Sequence, residues 1–277
     1  MPAFTLLNTR PAHQAHGLNQ LVKEAGGQAL SCPTMEIVFK ALPHNHSDLP
    51  AFDKVVFVSV NAVNAFMQQG FNLANNKQAC TDWFAIGKAT FDAAKKAGIP
   101  VNDLAYQQFD SESLLQHPDL QHLEGQKVLI VRGGQGRDLM PSTFKNRGAI
   151  VEAWSIYSRK PLPLCLKAWQ DLRQVKQPLI LASSVSSLDS LMQAISSDKS
   201  LNEQACLPAD QSKLLGTEQN LKWLLQQPLV VFSQRIKEWA LQQGWQGRIS
   251  VVTTQSDQGV IDCIIESHGI IKEKRHD

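Results

Sequence analysis

The chain alternates short apolar runs with longer stretches in which apolar residues return every three or four positions. Phe4 to Asn8 is such a run and predicts a strand. Ala12 to Ala25 carries the helical period and ends at Gly26-Gly27, where glycine accepts the positive φ of a helix stop. Gln28 to Ile37 then reads as a second strand. Beyond a Pro-, His- and Asn-bearing stretch from Pro43 to Pro50, Lys54 to Val58 predicts a strand, Asn61 to Gln69 a helix, Trp83 to Ile86 a strand and Lys88 to Ala97 a helix. Lys127 to Val131 opens a further strand, and Pro141 falls near the first turn of the following helix, where its missing N–H costs little. Short strands separated by helices of about ten residues predict parallel sheets and an α/β fold.

The pattern also repeats. Thr9-Arg10-Pro11 running to Ala25-Gly26-Gly27 is echoed by Val131-Arg132-Gly133 running to Arg147-Gly148-Ala149, and the spacing from arginine to glycine is the same in both. Val56-Phe57-Val58-Ser59 with Asn61-Ala62-Val63 matches Leu181-Ala182-Ser183-Ser184 with Ser186-Ser187-Leu188. Ala85-Ile86-Gly87 matches Val231-Phe232-Ser233, each followed by a glycine at the same distance, Gly98 and Gly244. Ser111-Glu112-Ser113-Leu114-Leu115 resembles Ser256-Asp257-Gln258-Gly259-Val260. Two related α/β units follow, with the working part expected at their interface or cleft. Periodicity leaves two arrangements open. The units are consecutive, or the first strands of each copy pack with the later strands of the other and the chain crosses twice, near Glu36 to Pro43 and near Tyr157 to Pro163.

Composition narrows this little. A length of 277 residues suits two domains, each able to bury a core. Hydrophobic residues at 43% and charged residues at 19% describe an ordinary globular chain, and a formal net charge of +2 is too small to announce nucleic-acid or membrane binding through bulk electrostatics. Any anion site must be local. No apolar run reaches the roughly 20 residues that span a bilayer, and no signal-peptide order opens the chain, so a cytoplasmic protein is expected. Five cysteines, Cys32, Cys80, Cys165, Cys206 and Cys263, stand without Cys-x-x-Cys spacing and are read as reduced and mostly buried. His13 and His16 share a predicted helix, and His44, His46, His117 and His122 lie at turns. No third ligand is placed beside any of them, so no metal site is expected.

The candidate chemistry sits in the turns that follow the strands. In parallel sheets these turns aim backbone N–H groups and helix N-termini outward from the strand carboxyl ends, a setting suited to anions. They contain Thr9 and Arg10, Ser59 and Asn61, Lys88 and Thr90, Arg132 with Gly133, Gly134 and Arg137, Ser183 and Ser184, and Ser233 with Arg235. The arginines offer bidentate contacts to carboxylates. Each has a plainer reading: Arg10 and Arg132 as structural cations, Ser59 and Ser184 as helix caps, the glycines as a tight turn. Gly133 to Gly136 are neither a P-loop, since no Gly-Lys-Ser/Thr follows, nor a dinucleotide fingerprint, since Leu139 stands where the last glycine belongs. Neither serine stands in a Gly-x-Ser-x-Gly elbow, so nucleophilic catalysis is not indicated.

Seven motifs in order carry a family resemblance: Leu7-Asn8-Thr9-Arg10-Pro11, Pro33-x-x-Glu36-Ile37, Phe57-Val58-Ser59-Val60-Asn61-Ala62-Val63, Ala85-Ile86-Gly87-Lys88-Ala89-Thr90, Ser111-Glu112-Ser113-Leu114-Leu115, Arg132-Gly133-Gly134-Gln135-Gly136-Arg137-Asp138 and Tyr157-x-Arg159. Together, over residues 4–265, they resemble bacterial uroporphyrinogen-III synthase. The resemblance implies two similar flavodoxin-like parallel-sheet domains joined by a two-stranded linker, with the ligand cleft between them. It favours the crossed arrangement: residues 1–37 plus 160–266 as one discontinuous domain and 40–158 as the inserted one. The tail, 267–277, lies outside the resemblance and, being rich in Lys and Glu, is expected to be disordered.

The implied activity is cofactor-independent. Hydroxymethylbilane loses its terminal hydroxyl to give an azafulvene, the far ring attacks through its substituted carbon to form a spiro intermediate, and reclosure leaves ring D inverted. The bilane closes unaided to the uninverted isomer, so positioning is the expected source of catalysis. The resemblance marks Tyr157 as the residue assisting departure of the hydroxyl. A phenol can donate to leaving water but is a reluctant acid near neutrality, and a packed hinge tyrosine is the alternative. Thr90 also matches a family position, whereas Ile236 stands at its counterpart in the second copy, where some members carry threonine. Hydroxymethylbilane synthase is the implied supplier of substrate and a monomer the implied state. A two-domain small-molecule-binding or regulatory relative is the rival reading.

Overall fold

The structure, a computed structural model, describes residues 2–42, 49–71, 81–102, 111–134, 139–197 and 217–268. The elements run β1 (Thr5–Asn8), α1 (Ala12–Glu24), β2 (Gln28–Ser31), β3 (Met35–Phe39), β4 (Lys54–Phe57), α2 (Val60–Met67), β5 (Asp82–Ala85), α3 (Lys88–Lys96), α4 (Ser111–Leu115), β6 (Lys127–Gly133), α5 (Leu139–Asn146) and β7 (Ile150–Pro161). They continue with α6 (Leu166–Arg173), β8 (Pro178–Ala182), α7 (Val185–Ser197), α8 (Thr217–Leu225), β9 (Leu229–Val231), α9 (Gln234–Gln242), β10 (Ile249–Val251) and α10 (Asp257–His268). The expected second strand from Gln28 to Ile37 is in fact two strands. Cys32-Pro33-Thr34 interrupts it, and Pro33 has no N–H to continue a ladder.

The chain forms two compact units, Met1–Glu36 with Lys160–Asp277, and Ile37–Arg159. The first contains a sheet in the order β10-β9-β8-β1-β2, all of whose pairings are parallel. Its strand order reverses between β1 and β8, the doubly wound pattern in which chain order 2-1-3-4-5 creates a switch point. The second unit contains the sheet β3-β7-β6-β4-β5, with parallel pairs β4–β5, β4–β6 and β6–β7 and its own reversal between β4 and β6. A parallel bridge from Trp83 to Val101 extends the β5 edge as β10 extends β9.

Successive residues of these strands enter opposite cores, as the two-residue period of a strand buried on both faces requires. In the first unit Leu7, Ile180 and Val231 join α7 and α9 residues such as Leu188, Leu191 and Ala240, while Leu6, Leu181 and Val230 pack with Leu18, Val22 and Ile264 on the other face. In the second, Val55, Phe57, Leu129 and Val131 pack with Ala62, Phe66 and Ala94, and Val56, Val128 and Ile130 with Leu114, Met140 and Phe144. Helices covering both faces leave the strand ends as the places where turns reach solvent. Of the described cysteines, Cys32 and Cys263 are buried and Cys165 is partly so. Burial, with Cys165 beside it, pushes the Cys32 thiol up to about 12, so it stays protonated and unreactive. Cys80, Cys206, His44 and His46 lie outside the described residues.

Candidate active site

At the switch point of the first sheet, Thr9 is fully buried and its hydroxyl donates to the Leu181 carbonyl at 2.6 Å. This bond ties the end of β1 to β8 and gives Thr9 a structural task. Arg10 follows on the surface side. Its Nη1 pairs with Asp257 at the start of α10, and its guanidinium lies 5.6 Å from the Phe232 ring centre. The backbone N–H of Arg10 donates to Asn8 Oδ1 at 3.2 Å, which fixes the turn. Arg10 is therefore a neutralised, braced cation, although its buried Nε has no hydrogen-bond partner among the described residues. Across the switch point Ser183 and Ser184 are half-buried, and Ser184 Oγ accepts from the Ser187 N–H at 3.1 Å, opening α7 as an N-cap. Asp257 was not among the sequence candidates. Its signal was the echo of Ser111-Glu112 in Ser256-Asp257, one step after a serine in each copy. Replacing Asp257 with alanine strands the Arg10 guanidinium, whose side chain is only 15% exposed. Because Asp257 itself is a third exposed, the expected loss is about 1–2 kcal/mol, read from urea denaturation midpoints.

The switch point of the second sheet brings more of the candidates together. Ser59 occupies the N-cap of α2 in extended conformation, and its Oγ accepts from the Ala62 N–H at 3.1 Å. The same Oγ lies 2.9 Å from the Tyr157 hydroxyl. Tyr157 reaches this position through a register shift in β7. Arg132 pairs with Ser155 but Gly133 pairs with Tyr157, so Ile156 is the extra residue of a bulge. The bulge turns Ile156 and Tyr157 into one core, which strict alternation would forbid. The aromatic ring then lies against Gly133. A Cβ on Gly133 would stand 2.3 Å from Tyr157 Cε2 and Cζ, so only glycine leaves room for the ring. Gly134 donates its N–H to the Tyr157 carbonyl at 2.9 Å, and its own carbonyl accepts from Ser155 Oγ at 3.1 Å. Both backbone groups of Gly134 are thus used within the turn.

Arg132, next to last in β6, stands beside this cluster and differs from its repeat partner. It forms no ion pair among the described residues, and its Nε is buried without a hydrogen bond. Arg10 has Asp257; Arg132 has no such carboxylate among the described residues. Asn61, in the first turn of α2, is buried, with 8% of its surface exposed.

The remaining candidates lie elsewhere on the two units. Gly87, at φ 85°, opens α3, and Lys88 at its first position forms an exposed pair with Asp92 at 3.1 Å. Thr90 is buried in the same first turn. Ser233 stands at the N-cap of α9 without a capping bond from its side chain, and Arg235 beside it is exposed. Arg137 lies outside the described residues. Among those residues, no group of three or more His, Cys, Asp or Glu side chains could hold a metal ion, and no helix is long and apolar enough to cross a membrane.

Two doubly wound parallel sheets, each with hydroxyls and an arginine in the turns at its reversal of strand order, define an α/β protein of the class that receives small ligands at strand carboxyl ends. The family model described as uroporphyrinogen-III synthase HemD matches residues 17–256. The chain belongs to the uroporphyrinogen-III synthase family. It is 28% identical over 250 residues to the uroporphyrinogen-III synthase of Escherichia coli, covering 88% of this chain and 93% of that one. It is 30% identical over 165 residues to the enzyme of Proteus mirabilis, covering 56% of this chain and 80% of that one. Among solved structures, a mutant uroporphyrinogen III synthase from Thermus thermophilus superposes with a TM-score of 0.58 at 16% identity, covering 96% of this chain and 99% of that one. The uroporphyrinogen-III synthetase of Helicobacter pylori gives 0.57 at 12% identity, covering 96% and 100%. At such identities these two structures speak for the two-sheet fold alone.

Proposed function

We propose that this protein converts hydroxymethylbilane to uroporphyrinogen III as a cofactor-independent lyase, with loss of water and inversion of ring D. The observation that carries the reading is membership of the family over residues 17–256. The turns agree with it chemically. The bilane is polyanionic through its acetate and propionate arms, and helix N-termini with adjacent hydroxyls and guanidinium groups suit carboxylates. Its intermediates need no electron sink beyond the pyrrole nitrogens, whose lone pairs expel the hydroxyl. What remains for the protein is to hold the chain coiled so that the substituted carbon of the far ring, rather than the free one, meets the cationic methylene. Tyr157 with Ser59 assists departure of the hydroxyl.

Arg132 is assigned a substrate carboxylate, since no side chain among the described residues neutralises it. Arg10, balanced by Asp257, is assigned a bracing role first and a ligand contact second. Arg132→Gln is expected to raise KM about tenfold while kcat stays within about twofold, the mark of uniform binding. Ser59, Asn61, Lys88, Thr90, Gly133, Gly134, Arg137, Thr9, Ser183, Ser184, Ser233 and Arg235 complete the proposed binding set, through main-chain groups where side chains are already engaged. Hydroxymethylbilane synthase is the proposed source of substrate, the cytoplasm the proposed location and a monomer the proposed working state. Cofactor independence is tested by dialysis against a chelator followed by a turnover assay. Full activity is expected, and activity lost to the chelator and restored by a metal would overturn it.

A further inference from the structure

Ser59 and Tyr157 share one hydrogen bond, but they do not share the surface equally. Tyr157 is 3% exposed, packed in the core with Phe57, Phe66 and Ile156, and its ring is held against Gly133. Ser59 is only half-buried, at the carboxyl end of β4 beside the strand-order reversal. A serine hydroxyl has one proton to give and two lone pairs to receive with. One lone pair of Ser59 Oγ takes the Ala62 N–H at 3.1 Å; the other is available to the Tyr157 hydroxyl at 2.9 Å. With the Tyr157 hydroxyl as donor, both lone pairs are filled and the single Ser59 proton is left for a group beyond the pair.

We propose that Ser59 is the residue whose hydroxyl meets the departing hydroxyl of the bilane, and that Tyr157 acts through it as a buried positioning and polarising donor. This rests on the reading of the protein as a hydroxymethylbilane cyclase in which the Ser59–Tyr157 pair serves loss of water. The order of donors gives the chain its direction. An oxygen that already accepts two hydrogen bonds is a stronger donor through its own O–H, because each bond polarises the next. The first of the two comes from an N–H of the opening turn of α2, at the positive end of that helix.

In the step itself the C–O bond of the hydroxymethyl group breaks with its electron pair going to oxygen. The pyrrole nitrogen's lone pair forms the C=C and C=N⁺ bonds of the azafulvenium cation. The Ser59 proton completes the water, and the Tyr157 proton follows to Ser59, leaving a phenolate that accepts from the serine. After attack, fragmentation and reclosure, the ring carbon that forms the last bond loses a proton as its pyrrole becomes aromatic again. That proton restores the pair, and no oxidant, reductant or metal enters the balance.

The arrangement makes three variants informative. Ser59→Gly removes the hydroxyl at little cost to the helix start, since glycine is a tolerated N-cap. Ser59→Thr keeps both hydroxyl and cap. Tyr157→Phe removes the buried donor and keeps the ring. Steady-state kinetics with hydroxymethylbilane are measured for each and for the double variant Ser59→Gly/Tyr157→Phe.

The expected result is that Ser59→Gly lowers kcat by at least as much as Tyr157→Phe. KM should stay within about twofold in both, the double variant should be no slower than Ser59→Gly alone, and Ser59→Thr should retain most of the rate. Three outcomes overturn the proposal. If Tyr157→Phe lowers kcat while Ser59→Gly does not, Tyr157 meets the substrate itself and the cyclase reading stands. If the two losses multiply in the double variant, the groups act separately. If neither changes kcat although the wild type makes type III product, the pair has no part in water loss. A wild type that yields no type III product sinks the cyclase reading itself, a result distinct from all three.

Discussion

Gly133→Ala is expected to damage both stability and turnover, although it adds one methyl group. The new Cβ would stand 2.3 Å from two atoms of the Tyr157 ring and 2.7 Å from a third. These are ring atoms of a side chain fixed in a packed core, so the contact cannot be relieved by swinging a flexible end aside. Either β6 and β7 separate at their bulge or the ring leaves its place. Overpacking of this kind costs about 1–3 kcal/mol. Displacing the ring also breaks the 2.9 Å bond to Ser59, so turnover should fall at least as far as in Tyr157→Phe. Urea denaturation and a turnover assay on the same preparation check both parts. The stability loss should shrink when Tyr157 is first truncated to alanine, because the added methyl then meets no ring. An unchanged midpoint with unchanged turnover would mean that the Gly133–Tyr157 contact is unimportant.

Tyr157→Phe separates the hydroxyl from the ring. The phenylalanine ring fills the same space between Gly133 and the core of the second unit, so stability should change by no more than about 1 kcal/mol, the net worth of one hydrogen bond. Turnover should fall about tenfold to a hundredfold, at or below the low end of general acid catalysis, because the pyrrole nitrogen already supplies most of the push. The isomer ratio should hold among the turnovers that remain, since the hydroxyl assists departure and does not choose the ring carbon that attacks. Wild-type turnover in this variant would leave Tyr157 as a packing residue of the β6–β7 pairing.

For the elements read from Phe4 to Ala25 and from Lys54 to Val131, the strand and helix pattern is legible to within a residue or two, because buried parallel strands read as short apolar runs and their helices keep a 3.6-residue period. Lys54 to Val58 and Trp83 to Ile86 were expected as strands and appear as Lys54–Phe57 and Asp82–Ala85. The break at Pro33 was missed because the apolar pattern continues across it, and only the lost N–H shows that the ladder ends there. The bulge before Tyr157 was invisible for a similar reason. Trp154-Ser155-Ile156-Tyr157 carries nothing locally that says which residue is the extra one, and pairing with β6 decides it.

Among the site candidates, helix-cap chemistry was readable for Ser59 and Ser184, since serine before an apolar helical run is a local signal. The partner of Arg10 lies 247 positions away, and only the internal echo pointed toward Asp257. Lys88 shows the opposite case. Its pairing with Asp92 follows from i,i+4 spacing on one helix, a signal present in the sequence and passed over in favour of ligand binding. The repeat also concealed a difference. Arg10 and Arg132 hold equivalent places, yet one has a carboxylate partner and the other has none among the described residues, so equal spacing did not confer equal chemistry.

The most direct measurement is the isomer composition of the product. Hydroxymethylbilane is generated from porphobilinogen by hydroxymethylbilane synthase with and without this protein, the porphyrinogens are oxidised, and the type I and type III porphyrins are separated by chromatography. A dominant type III porphyrin, with type I in the control, is the predicted result. Type I alone, at the control's rate and from folded protein, would contradict the assignment of this chain as the catalyst that inverts ring D.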